Sequence, residues 1–165
     1  MDDEQRRIRG YLQAQGAKLA PADVIDKVSA AMADLRRAAA AVSPARFAER
    51  PAPEEWSGNE VMAHVVDAGR HFGEQILAIL DGQRTAADRE RDATVRRAEE
   101  WWAILARDRE ALFTRVRAAD PVAGLGETIE HQMFGPLTWR ETLLFMRLHD
   151  LDHAGQLQKI ATALA

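Results

Sequence analysis

Four long segments of the chain carry apolar residues at the three- and four-residue spacing of an amphipathic helix. This periodicity predicts helices over residues 22–42, 58–80, 94–119 and 139–163. A weaker pattern predicts a short opening helix over residues 5–15. No segment alternates apolar and polar residues for long, so we predict no sheet.

Capping residues mark the boundaries of two of these helices. Ser57 with Glu60, and Thr138 with Glu141, have the spacing of a capping box, in which each side chain accepts from the other residue's free backbone N–H. Gly82 is typical of a helix C-terminus. We therefore expect the second and fourth long helices to begin at these boxes.

The remaining segments are predicted to be connections. Residues 83–92 are charged, and residues 122–137 contain several glycines and a short strand-like piece around residues 128–129. Four helices of about six turns, each with one apolar stripe, predict an all-α fold, a four-helix bundle. We expect the bundle to span residues 21–165, with residues 1–20 as an N-terminal arm or short helix.

Composition narrows the classes of function. The chain has 165 residues, of which 47% are hydrophobic, enough for one apolar core. Its net charge of −4, with acidic and basic residues interspersed, argues against nucleic acid as a partner. No apolar run approaches the roughly 20 residues of a membrane span. The acidic opening leads into no apolar segment, so we expect a cytoplasmic protein without a membrane partner.

The chain contains no cysteine, which limits the chemistry available to it. Disulfides, thiolate metal ligands and a cysteine nucleophile are excluded. A metal ion would therefore be held by His, Asp or Glu, and any thiol chemistry would use a thiol that arrives with a small molecule.

Three histidines have the placement of a metal site. His149 and His153 lie one turn apart on one face of the fourth long helix. His64 lies on the same stripe as the apolar residues Val61 and Val65 of the second long helix. If these helices face each other, the three imidazoles can converge on one ion and leave a coordination position open. The alternative is that they are hydrogen-bonded core histidines.

Four other residues are candidates for supporting roles. Asp67, His71 and His131 are possible catalytic groups that would accept or donate protons. His71 is two turns from His64, about 10 Å along the helix axis, which argues against its binding the same ion. Gln156 follows His153 by three residues and is expected to reach the site as a hydrogen-bonding group.

The sequence HDLDH at residues 149–153 differs from the zinc-protease motif. That motif requires glutamate directly after the first histidine as the general base, and Asp150 has a shorter side chain. Peptidase activity is therefore not indicated. We expect Asp150 and Asp152 to face water, or one of them to orient the ring of a metal-binding histidine.

Two regions of the chain resemble signatures of the DinB-like superfamily. EWS at residues 55–57, followed by EVMAHVVDA at residues 60–68, resembles its second-helix signature. FGPLTWRE at residues 134–141 and LHDLDHAGQL at residues 148–157 resemble its fourth-helix signature. The resemblance extends from about residue 21 to the C-terminus.

The resemblance implies a four-helix bundle that binds a divalent metal through His64, His149 and His153, the three residues that the spacing also selects. It implies Zn²⁺ or Ni²⁺, a homodimer and a small-molecule substrate. Relatives include mycothiol-dependent maleylpyruvate isomerase and S-transferases that use low-molecular-weight thiols. We therefore expect a metal-dependent enzyme, such as a thiol-dependent S-transferase or isomerase acting on small electrophiles. The alternative is a non-catalytic, metal-binding or stress-response dimeric bundle.

Overall fold

Most helices of the chain begin and end close to the residues expected from the sequence. The computed structural model describes residues 1–82 and 92–165. In these residues the helices are α1 (Asp3–Lys18), α2 (Pro21–Ala41), α3 (Gly58–Asp81), α4 (Ala98–Arg117) and α5 (Trp139–Ala163). A 3₁₀ turn (Pro44–Arg46) follows α2, and a hairpin of β1 (Ile129–His131) and β2 (Gly135–Leu137) precedes α5.

The predicted capping boxes are confirmed. The Ser57 hydroxyl accepts from the backbone N–H of Glu60 at 3.1 Å, and the Thr138 hydroxyl accepts from that of Glu141 at 3.2 Å. Gly82 has a φ of 67° and ends α3 in the left-handed conformation that glycine adopts without strain. The bounds of α5 agree with the prediction, those of α2 and α3 differ from it by one residue, and α1 is longer than predicted.

The predicted helix over residues 94–119 begins four residues too early. The side-chain oxygen of Asn59 accepts from the backbone N–H of Arg96 at 2.9 Å, and also from Trp101 Nε1 at 2.7 Å. This bond holds the chain before α4 against the start of α3, and Arg97 becomes the N-cap. Most of the predicted charged connection, residues 83–91, lies outside the described residues.

The hairpin is the part of the fold that the periodicity missed. Ile129 pairs with Leu137 and His131 pairs with Gly135 in an antiparallel ladder. Each strand has only three residues, too few for an alternating pattern to stand out from a loop. The strand-like piece expected near residues 128–129 lies at the beginning of β1, so the prediction of no sheet was wrong for this segment, which holds the only strands among the described residues.

The four long helices form the predicted bundle. α5 packs against α2 and α3, and α4 packs against the same two helices, so α4 and α5 lie diagonally opposite each other. The additional helix α1 packs on α5 and buries Leu12 completely. Within the described chain no helix combines the length and apolarity required to cross a membrane.

The apolar core is divided into two clusters. On α5, residues 143–146 belong to one cluster, whereas Ala154, Leu157 and Ile160 belong to the other. On α4, Leu112 belongs to the first cluster. Leu105 belongs to the second. Four polar side chains lie between the two clusters along these helices and are called the polar layer below: Arg109, His149, Asp150 and His153.

We predict that Asn59→Ala lowers the free energy of unfolding by about 1–3 kcal/mol, because the indole N–H of Trp101 and the N–H of Arg96 lose their acceptor. Denaturant unfolding measures the change. Asn59→Asp is the matched control, since it keeps an accepting oxygen near the positive end of α3. Equal losses in the two variants would contradict the role assigned to this oxygen.

Candidate metal centre

The ring nitrogens of three histidines converge between α3 and α5. The Nε2 atom of His149 lies 3.2 Å from Nε2 of His64 and 3.2 Å from Nε2 of His153. One ligand atom from each ring lies within 4.8 Å of the others. Two nitrogens bound tetrahedrally to one zinc ion are about 3.3 Å apart, as zinc–nitrogen bonds of 2.0–2.1 Å require. The three histidines could therefore hold a metal ion.

Helix geometry accounts for this convergence. His149 and His153 are one turn apart on α5, and their ring centroids are 4.4 Å apart in an edge-to-face arrangement. His64 comes from the neighbouring helix α3, with its ring centroid 4.9 Å from that of His153. The packing of α3 on α5 thus brings His64 to face the histidine pair, which is the condition that the predicted metal site required.

Gln156 orients one of the three rings. Its side-chain oxygen lies 2.8 Å from Nδ1 of His153. Because a carbonyl oxygen only accepts hydrogen bonds, this contact places the proton of the neutral ring on Nδ1. Nε2 of His153 then presents a lone pair toward the other two histidines, as a metal ligand requires. Gln156 therefore reaches the histidine group as a hydrogen-bonding residue.

Burial keeps His149 neutral. The pKa of His149 is lowered to about 3, chiefly by loss of solvent and in smaller part by the neighbouring charges of His153, His64, Arg109 and His131. A neutral imidazole has a free lone pair for a metal ion at neutral pH. The site therefore offers three nitrogen donors without bringing negative charge of its own.

Aromatic side chains contact two of the three histidines, His64 and His149. Trp56, directly before the N-cap of α3, has its ring centroid 5.1 Å from that of His64. On the other side, Phe72 and Phe145 lie 5.8 Å and 6.0 Å from the ring of His149. These rings limit the positions that the imidazoles of His64 and His149 can adopt and cover part of their surface.

A cleft of about 590 Å³ borders the site at His153. Trp56 and Ile160 supply apolar surface, and Gln156 and Lys159 add polar groups. Exposed glutamates at positions 54 and 55 complete its rim. A small molecule in this cleft would have one end beside the histidines.

The three candidate catalytic residues have different surroundings. His131 packs against Phe134 and Phe145, with ring centroids 4.7 Å and 4.5 Å apart, and burial lowers its pKa. His71 is exposed on α3, and Asp67 is half-buried there. None of the three belongs to the histidine group that could hold a metal.

The expectation that Asp150 faces water or orients a ligand ring was wrong. Asp150 is fully buried and accepts two hydrogen bonds from Arg109, at 2.8 Å from Nη1 and 3.0 Å from Nη2. Asp152, in contrast, is exposed as expected. The charge of Arg109 is what allows a carboxylate to lie in the core beside the histidine site.

Sequence reasoning missed Arg109 and Trp56 as neighbours of the site. Arg109 follows Leu105 by four residues and precedes Leu112 by three, so it interrupts the apolar stripe of its helix. A charged residue in such a stripe signals a buried partner, although the sequence does not identify Asp150 as that partner. Trp56 carries no such signal, because its contact with His64 depends on how the chain enters α3.

Comparisons with known proteins agree with this architecture. The crystal structure of TT2238, a four-helix bundle protein, matches with a TM-score of 0.65 and 21% sequence identity, over 84% of this chain and 98% of that chain. At this identity the likeness concerns the fold alone. A search of curated proteins found no significant match. The family profile of the DinB superfamily matches residues 13–157, which is most of the chain. The protein is therefore a member of the DinB superfamily.

Proposed function

We propose that His64, His149 and His153 bind one divalent metal ion and that the protein is a metal-dependent enzyme. Its substrate would be a small electrophile, and its nucleophile a low-molecular-weight thiol or water. The observation that carries this proposal is the convergence of three imidazole nitrogens, with His149 Nε2 at 3.2 Å from both others. Superfamily membership supports it, because the resemblance selects the same three residues.

The donor set suits a catalytic role. Bound there, a divalent ion would act as a Lewis acid that lowers the pKa of a coordinated thiol or water. Three neutral imidazoles leave the charge of such an ion uncompensated, so the site favours an anionic fourth donor. Since the chain has no cysteine, the thiol must come from a second small molecule.

The residues around the site would control solvent and protons. Trp56, Phe72 and Phe145 shield the imidazoles from water, and the cleft beside His153 gives a ligand access. Of the three candidates for proton transfer, His131 is favoured by its position, because its ring packs against Phe145, which also contacts His149. In a transfer to an electrophilic carbon, the thiol sulfur forms the new bond to carbon. The thiol proton passes to solvent, and the leaving group departs with its bonding electron pair.

Further features of this proposal derive from the family resemblance and the sequence. The resemblance supports Zn²⁺ or Ni²⁺ as the metal and a homodimer as the assembly. The net charge of −4 supports small molecules rather than nucleic acid as partners. We also propose that residues 21–165 are the bundle domain of a cytoplasmic protein.

We predict that replacing His64, His149 or His153 by alanine removes most of the bound metal, since two imidazoles hold an ion far less tightly than three. Elemental analysis of untagged protein measures the occupancy. His71→Ala is the control, because His71 is exposed on the same helix as His64. Full occupancy in His149→Ala together with loss in His71→Ala would show that the ligands have been misassigned.

We predict that Gln156→Ala weakens metal binding roughly tenfold or more, because the Nδ1 proton of His153 loses its acceptor and the ring loses its orientation. Competition titration with a chelator measures the affinity. Gln158→Ala is matched to it as an exposed glutamine on the same helix. The same affinity in both variants would leave Gln156 without a role in the site.

We predict that the metal-loaded protein accelerates conjugation of a small thiol to a generic aryl halide, and that metal removal or His149→Ala abolishes the acceleration. A thiol panel followed by absorbance of the conjugate tests this reaction. Metal-free wild-type protein reloaded with metal should regain activity. Tight metal binding with no turnover of any thiol or water-dependent substrate would instead favour the non-catalytic metal-binding bundle.

A further inference from the structure

A buried ion pair crosses the bundle at the level of the histidines. Arg109 of α4 and Asp150 of α5 are both buried, and two hydrogen bonds of 2.8 Å and 3.0 Å join the guanidinium to the carboxylate. Their helices lie diagonally opposite, each packing instead on α2 and α3. The pair therefore joins two helices that have little other contact.

A glycine of the neighbouring helix α3 leaves space for the guanidinium of the pair. A Cβ atom at position 69 of α3 would lie 3.4 Å from Nη2 of Arg109 and 3.5 Å from its Nε. Glycine at this position lets the guanidinium lie directly against the helix. A cavity of about 190 Å³ adjoins Gly69 and Arg109, and within the described part of the chain Nε of Arg109 has no hydrogen-bond partner.

Stability alone gives little reason for this arrangement. Moving both charges out of water costs about as much as their attraction returns, and apolar replacements of such pairs are often neutral or stabilising. The guanidinium also leaves one buried donor without a partner in the described structure. The pair lies between two apolar clusters, where apolar side chains would pack as well. Its presence is therefore better explained by the geometry that its hydrogen bonds impose than by stability.

The geometry of the Arg109–Asp150 contact is suited to fixing the rotation of α5 about its own axis. Viewed along the axis of α5, Asp150 lies about 60° from His153 and about 100° from His149. If α5 turned by about 15°, an atom about 6 Å from its axis would move by more than 1 Å. Metal–ligand distances tolerate about 0.2 Å. A bidentate guanidinium–carboxylate contact resists such a turn because both of its hydrogen bonds are directional.

We infer that the Arg109–Asp150 pair is a positioning device that fixes the rotation of α5, so that His149 and His153 face His64 of α3. This inference rests on the proposed metal site. Arg109 and Asp150 are thus positioning residues: they touch neither the ion nor the substrate, and they act through the helix that carries two of the three ligands.

The test replaces the pair by apolar residues in Arg109→Met/Asp150→Leu, for which the adjoining cavity has space. Co²⁺ titration followed by visible absorbance measures metal affinity, and thermal unfolding of the metal-free protein measures stability. We expect a melting temperature equal to or above that of the wild type, with Co²⁺ affinity lower by roughly tenfold or more. Unchanged affinity would overturn the inference, as would a loss of affinity that merely follows a loss of stability.

A second ion pair supplies the matched control. Arg70 and Asp108 join α3 to α4 at 2.7 Å and are half-buried. Arg70→Met/Asp108→Leu should leave Co²⁺ affinity unchanged, and an equal loss there would overturn the inference. Should Arg109→Met/Asp150→Leu fail to fold, Arg109→Met/Asp150→Asn replaces it, because it removes both charges, leaves no unpaired guanidinium and keeps the side-chain size at position 150. Reduced affinity in this variant at an unchanged melting temperature supports the inference, and unchanged affinity overturns it.

Wild type and His149→Ala are titrated beside these variants. If the wild type binds Co²⁺ no better than His149→Ala, the proposed metal site is wrong. If the wild type binds tightly, His149→Ala does not, and Arg109→Met/Asp150→Leu matches the wild type, the metal site stands and the positioning role is wrong.

Discussion

The buried charges of the polar layer must be compensated within the core, and the rest of the bundle is arranged around this requirement. Arg109 and Asp150 are tolerated in the core because each neutralises the other and together they form two hydrogen bonds. His149 is tolerated because burial keeps it neutral. The apolar clusters above and below can then pack separately, each with side chains from α2 to α5. A slip of one helix by a turn would place a charge against an apolar cluster, so the layer also specifies register.

Local structure prepares the helices for this arrangement. The capping boxes at Ser57 and Thr138 define where α3 and α5 begin, and hence the height at which their histidines lie. Asn59 attaches the chain before α4 to the same end of α3. Each of these contacts is short in range, yet together they bring three separate helices to one level. The position of each helix along the bundle is therefore determined mainly by its caps. The rotation of each helix about its own axis is determined mainly by the packing of the core.

The site gains its chemical character from its position in the bundle. Three imidazoles between α3 and α5 are shielded by aromatic rings, whereas the cleft at His153 stays open. With the proposed metal ion bound, such a site would combine three shielded ligands with room for a substrate, which is what a metal-activated nucleophile requires. A bundle core ordinarily consists of apolar side chains, and here polar groups that could hold a metal ion replace some of them.

Much of this protein follows from local patterns in the sequence. Apolar periodicity and capping residues determine α2, α3 and α5 because each depends on contacts within a few residues, and the four-residue spacing of His149 and His153 places both on one face. The later start of α4, the hairpin at Ile129–His131 and the burial of Asp150 depend on partners far away in the chain. The sequence alone therefore determined the helices and a histidine pair. Tertiary packing decided that His64 faces that pair and that Arg109 reaches Asp150 across the diagonal, because such contacts exist only once the helices have been brought together.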